Sequence, residues 1–263
     1  MEQPIIITYQ GQICHVVNNN PASRNALTLD YINGLATLLN DFRQGAKPKP
    51  RAVILSGAGG FFCSGGDMSG LQERTQGHYA ARRALIDRLN EMVRGVRACP
   101  SPVIASVEGG AAGAGAAIAL ACDMIFASKT AFLASSYVKI GLTPDAGTTV
   151  FLNAGVPRWL AAELLFTGDK IPATRLYDLG VVNHLADEGE TLEAAMAMAR
   201  RLEAGPASAI MRAKNLLGGA ASNSFDEQLE AEADNIAQAL GGAEAKEGIT
   251  AFIERRAPTF PEE

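Results

Sequence analysis

Residues 102–123 read PVIASVEGGAAGAGAAIALACD, and this stretch limits what the chain can fold into more than any other. Residues 103–107 are a short apolar run of strand type. Glu108, Gly109 and Gly110 break it, and residues 111–121 have the composition of a small-residue helix. A strand that feeds a helix through glycines aims free backbone N–H groups at whatever sits above the turn. A second unit of the same kind comes earlier: residues 52–55 read as a buried strand and run into Gly57, Gly59, Gly60, Gly65 and Gly66. Glycines at that density imply left-handed backbone or a close approach of the chain to something. With a helix predicted over residues 79–98 between the two units, the pattern favours βαβ connections and a parallel sheet, hence the α/β class.

The other elements follow from periodicity and punctuation. Residues 5–9 and 13–17 form an antiparallel hairpin. Thr28 caps a helix with Leu29, Ile32, Leu35, Leu38, Leu39 and Phe42 on one face, ended by Gly45 and Pro48. The pattern weakens into a loop over residues 68–77. Short strands are expected at 124–127, 131–134 and 181–185, and short helices at 148–153 and 158–166, with Pro157 at the first helical position of the second. Beyond that only helices are expected, over 191–203, 207–217, 225–240 and 244–255. The order suggests a mixed core over residues 1–190 and a helical part over 191–263.

Several functional classes fit poorly. With 48% hydrophobic and 19% charged residues the chain is an ordinary folded protein. Its net charge of −5, with no long basic run, argues against nucleic acid as a partner. Cys14, Cys63, Cys99 and Cys122 lie scattered in apolar segments without a Cys-x-x-Cys pair, which fits buried thiols and no metal. The start shows no signal-peptide pattern and no run is apolar enough to cross a membrane, so a cytoplasmic protein is expected. The dinucleotide fingerprint fails because Ile118 stands where glycine or alanine is required, and no Gly-Lys-Ser/Thr follows a glycine cluster. Neither Ser64 nor Ser69 sits in a Gly-x-Ser-x-Gly frame. His15 and His184 lie in strand-like runs and His78 beside a helix start, positions of structural histidines.

What remains is two glycine turns and few acids. Two such turns can each give one N–H to a single oxygen, the geometry of an oxyanion hole; the same residues also let helix and sheet pack closely. Between Val93 and Ala162 the only acids are Glu108, Asp123 and Asp145. The first two occupy element ends, where solvated or capping roles are common. Asp145 follows Pro144 in a loop among apolar residues, where a carboxyl can take the raised pKa that acid–base work near neutrality needs.

The segments 20–27 (NPASRNAL), 62–67 (FCSGGD), 102–123, 141–145 (GLTPD) and 247–252 (EGITAF) together resemble the crotonase (enoyl-CoA hydratase/isomerase) superfamily, in order and over essentially the whole chain. The resemblance implies a spiral of ββα units with a helical C-terminal trimerisation region, a homotrimer or hexamer, and an acyl-CoA substrate. No cofactor is bound permanently, coenzyme A being part of the substrate. By position, the resemblance gives the N–H groups of Gly66 and Ala114 to the thioester oxygen and Arg24 to the CoA phosphates. Phe252 and Arg255 match residues that reach a neighbouring subunit's CoA. Ser64, Asp67, Met68 and Tyr137 line the substrate site, and residues 68–79 shape the acyl pocket.

One departure matters. Typical hydratases of the superfamily carry two glutamates, and the aligned residues here are Ala117 and Tyr137. Asp145 aligns with the single catalytic acid of some superfamily isomerases, and the loop 137–145 looks most like members of phenylacetate pathways. The resemblance therefore implies isomerisation of an unsaturated or ring-derived acyl-CoA by Asp145. Enoyl-CoA hydration, hydrolysis of an oxepin-CoA type ester, and acyl-CoA binding with little catalysis remain alternatives.

Overall fold

A computed structural model of the protein describes residues 3–260. The hairpin β1 (Ile5–Gln10) and β2 (Ile13–Asn18) opens the chain, followed by α1 (Leu29–Gln44), β3 (Ala52–Gly57), α2 (Met68–Thr75), α3 (Tyr79–Ala98) and β4 (Val103–Val107). Then come β5 (Ala111–Ala112), α4 (Ala114–Ala121), β6 (Met124–Ser128) and β7 (Phe132–Ala134). They lead to α5 (Thr148–Gly155), α6 (Arg158–Thr167), β8 (Lys170–Pro172), α7 (Ala173–Asp178) and β9 (His184–Ala186). Four helices close the chain: α8 (Thr191–Glu203), α9 (Ala207–Gly219), α10 (Phe225–Leu240) and α11 (Ala243–Glu254). The fold is the expected α/β spiral of strand–strand–helix units with a helical C-terminal part.

The strands form two sheets. The larger has the order β1-β2-β3-β4-β6-β9 and is parallel except for the β1–β2 hairpin; the smaller has the order β5-β7-β8. Alternation along each buried strand divides its side chains between two cores. Val53, Leu55, Val103 and Ala105 face the main core with Leu35, Leu39, Met92 and Val96 of α1 and α3. Their neighbours Ala52, Ile54 and Ile104 face the other way, onto Ala195, Met196 and Ala199 of α8. Each fully buried Ile or Leu contributes about 1.5–3 kcal/mol. The sheet is thereby a rigid platform that fixes where its C-terminal turns point.

Helix α1 begins as its sequence demands, with the Thr28 hydroxyl accepting from Tyr31 N and Gly45 ending it in the left-handed conformation. Its buried face differs at one position: Leu29 is 45% exposed, and Tyr31 takes the buried place. Residues 68–77 are mostly helix rather than loop, because Asp67 caps α2 by accepting from Gly70 N. The helix expected from residue 111 starts later: Ala111 and Ala112 pair with β7 as β5, and Gly113 (φ 51°) makes the turn into α4. Pro157 precedes the first residue of α6 as its cap instead of opening it. The strand expected over 181–185 lies at His184–Ala186, and β8 and α7 were not expected.

Candidate active site

The two glycine turns meet. Cys63 and Ala111 form an isolated parallel bridge, with Ala112 N donating to the Cys63 carbonyl at 2.9 Å, and Leu27 pairs with Gly66 on the other side. Gly65 has φ 95°, and a Cβ there would lie 2.8 Å from the Ala112 carbonyl oxygen and 3.5 Å from the Ala114 nitrogen. Only glycine allows that approach. Ala114, the first residue of α4, is not left-handed, so its Cβ carries no backbone strain. Neither the Gly66 nor the Ala114 N–H donates to an acceptor among the described residues. Two free donors on adjoining turns, one at a helix N-terminus, suit a single anionic oxygen.

Beside them stands the carboxyl group. Tyr137 sits in the 3-10 turn Ser136–Ile140 that follows β7, and its side chain is buried. Its ring reaches the Gly113 turn, since a Cβ on Gly113 would lie 4.0 Å from Tyr137 Cζ. From there the Tyr137 hydroxyl donates to Asp145 Oδ1 at 2.7 Å and lies 3.3 Å from Thr148 Oγ1. Thr148 Oγ1 donates to the Asp145 carbonyl at 2.8 Å. Directly after Asp145, Ala146 (φ 52°) and Gly147 (φ 82°) are both left-handed and turn the chain into α5. Burial pushes the Asp145 carboxyl above the usual carboxylate range, and the Tyr137 hydroxyl partly offsets this. Burial also raises the Tyr137 phenol, so it stays protonated and serves as a donor.

The competing acids are committed elsewhere. Glu108 accepts from Gly189 N, Thr191 N and Thr191 Oγ1, at the start of α8. Asp123 accepts Val103 N at 2.7 Å and pairs with Lys214 Nζ at 2.7 Å. Ala117, in α4, is 0% exposed. Of the histidines, His15 Nε2 meets Ser56 Oγ at 2.8 Å, His184 lies against the Phe126 ring, and His78 precedes α3 without a side-chain capping bond. All four cysteines are buried free thiols.

Gly66, Ala114, Tyr137 and Asp145 are thus brought to one place, and the remaining expected residues lie around or away from it. Ser64 ties the first turn to the loop before α1, its N–H donating to the Arg24 carbonyl and its hydroxyl to the Ser23 carbonyl, both at 3.0 Å. Arg24 is left-handed and exposed, with its guanidinium 5.7 Å from the Phe61 ring centre. Asp67 caps α2, and Met68 is exposed at its first position. Phe252 (85% exposed) and Arg255 lie at the end of α11, and no hydrogen bond or ion pair among the described residues links them to Asp145 or the turns.

Sequence reasoning missed Thr148, whose Asp-x-x-Thr spacing from Asp145 is the available signal. It also missed Ser135, which lines an otherwise largely apolar cavity of about 10 Å³ with Thr148, Leu133 and Leu152. The Ser135 hydroxyl is buried without a partner among the described residues.

Comparison with known proteins finds relatives along nearly the whole chain. Residues 8–263 match the family model described as enoyl-CoA hydratase/isomerase. The chain is 32% identical over 211 residues to the 1,2-epoxyphenylacetyl-CoA isomerase of Escherichia coli, covering 80% of each protein. It is 32% identical over 252 residues to the human mitochondrial enoyl-CoA hydratase domain-containing protein 2, covering 94% of this chain and 85% of that one. A crystal structure of an enoyl-CoA hydratase from a Polaromonas species superposes with a TM-score of 0.94 at 38% identity, covering 98% of this chain and 99% of that one.

Proposed function

The chain belongs to the enoyl-CoA hydratase/isomerase family of enzymes, and from that premise we propose that it isomerises an unsaturated acyl-CoA with Asp145 as its one acid–base group. Coenzyme A enters as part of the substrate. The Gly66 and Ala114 N–H groups receive the thioester oxygen as it gains charge. An oxyanion donor of this kind is worth about 2.7–4 kcal/mol, and a positioned acid–base about 10²–10⁴ in rate.

For a 3-enoyl to 2-enoyl shift, the Asp145 carboxylate takes a proton from the carbon next to the thioester. The C–H electrons move into the enolate, whose oxygen the two N–H groups hold. The acid then returns the proton to the fourth carbon as the double bond moves, and the carboxylate is regenerated.

The observation that carries this reading is that, of the three acids between Val93 and Ala162, Asp145 alone stands beside the donor turns with a carboxyl oxygen free of any bond from another described side chain. Glu108 and Asp123 are held in structural bonds, while Ala117 and a neutral Tyr137 stand where typical hydratases have glutamates. Hydration would need a second group to activate water. The isomerase name of the Escherichia coli relative supports a ring-derived substrate and a role in phenylacetate breakdown. Arg24, Ser64, Asp67, Met68, Phe252 and Arg255 are assigned to binding the CoA ester. Exposed Leu217, Phe225, Ile236, Leu240, Phe252 and Ile253 on α9, α10 and α11 support a homotrimer or hexamer assembled through residues 191–263. No described helix is long and apolar enough to cross a membrane, and a cytoplasmic location fits this chemistry.

The test is a screen of purified enzyme against 2-enoyl, 3-enoyl and ring-derived CoA esters, read by mass in labelled water. Isomeric product without solvent oxygen is expected. Oxygen incorporated from labelled water as the main outcome would replace this reading with hydration or hydrolysis.

A further inference from the structure

Asp145 has two carboxyl oxygens, and the structure treats them differently. Oδ1 accepts the Tyr137 hydroxyl at 2.7 Å; Oδ2 accepts no hydrogen bond from another described side chain. The main chain of Asp145 is pinned from the other side, where Thr148 N and Thr148 Oγ1 both donate to its carbonyl, at 3.0 and 2.8 Å. Thr148 Oγ1 spends its only proton there, so the one proton of Tyr137 goes to Asp145. No charged side chain bears on the carboxyl; Tyr137 is the titratable group that does, burial works against it, and the backbone N–H of Asp145 itself adds a smaller bond in the same direction as Tyr137. The same Tyr137 ring packs against the Gly113 turn that presents the Ala114 N–H. One side chain thus spans the distance between the oxyanion donors and the acid.

We propose that Tyr137 is a positioning residue that locks Oδ1 of Asp145, presents Oδ2 as the proton-exchanging oxygen, and sets its distance from the Ala114 turn. The proposal rests on the assignment of Asp145 as the acid–base. The residue that occupies a glutamate position in this family thereby keeps a part in catalysis, as a permanent donor instead of a base. A neutral donor to the ionised carboxylate favours that form, so Tyr137 keeps a larger fraction of Asp145 ionised at a given pH than burial alone would leave. The rotational freedom of the carboxyl is removed before substrate arrives.

Tyr137→Phe tests this, because it removes one oxygen and leaves the ring against Gly113. Two readouts are needed. The first is ¹³C NMR titration of the Asp145 carboxyl, which requires no substrate: its midpoint is expected at higher pH in the variant. The second is the pH profile of kcat on the CoA ester that the screen identifies. Its acid limb is expected to move up in step with the titration, with kcat down on the order of tenfold below the limb and KM little changed. If Tyr137→Phe fails to fold, 3-fluorotyrosine at position 137 serves instead. Its more acidic phenol strengthens the bond, and the midpoint is expected to move down.

An unmoved midpoint and an unmoved acid limb would overturn the role of Tyr137, even with Asp145→Asn inactive. Turnover that survives in Asp145→Asn would instead remove the assignment on which the proposal stands, and the two failures are thereby distinct.

Discussion

Lys214 Nζ lies 2.7 Å from Oδ2 of Asp123, and both side chains are largely buried. The same carboxylate oxygen accepts Val103 N, and Lys214 also donates to the carbonyls of Val96 and Ser101. One ion pair therefore bolts α9 to the start of β4, the strand that leads to the Gly109–Gly113 turns.

Lys214→Met is expected to cost about 3–5 kcal/mol, since it leaves Asp123 buried without its counter-ion. Urea denaturation measures it. A loss below about 1 kcal/mol would mean that Asp123 is solvated or that the pair contributes little.

Gly65→Ala is expected to cut kcat/KM by about 10²–10³ while the fold persists. The new Cβ meets the Ala112 carbonyl at 2.8 Å in a left-handed position, which pushes the two donor turns apart. The strain itself is about 1–3 kcal/mol. Full activity in a folded variant would argue that these turns do not act together.

Asp145→Asn is expected to abolish turnover and to raise stability at neutral pH. The folded carboxyl titrates above its unfolded value, so its stabilising contribution is complete below the unfolded pKa and is lost as pH rises through the folded one. The melting-temperature advantage of the variant should therefore be absent in acid and grow toward neutrality. A constant difference across that range would contradict the raised pKa.

Ser135→Ala is expected to leave stability unchanged or to raise it by up to about 1 kcal/mol, because the buried hydroxyl has no partner among the described residues. Thermal unfolding reads this directly. A loss greater than that would place a bound water between Ser135 and Thr148 in the cavity they share.

Much of this architecture is legible in the residues, and the exceptions have physical causes. Helix α1 announces itself through Thr28, a regular apolar face and Gly45. The central strands are apolar runs buried on both faces. Helix α2 is hidden because its sequence, MSGLQERT, has a glycine and no apolar stripe; only the Asp67 to Gly70 cap marks it. Strand β5 is two alanines, a residue whose intrinsic preference is helical. Strand β8 contains Pro172 and survives because it lies at the edge of its sheet. At the site, Asp145 stands out because acids are scarce between Val93 and Ala162. Its bond to Tyr137 does not, since the two residues stand eight positions apart across an irregular turn that passes through the left-handed Gly141.

The half-buried seat of Asp145 has an isotopic consequence. In the proposed reaction the proton it lifts from one carbon sits on Oδ2 of a partly buried carboxyl whose other oxygen is held by Tyr137, where exchange with bulk water competes against a return trip on the same molecule. A deuteron placed next to the thioester should then reappear farther along the same acyl chain. The fraction retained becomes a clock that compares the lifetime of the enolate with the rate at which solvent reaches the acid.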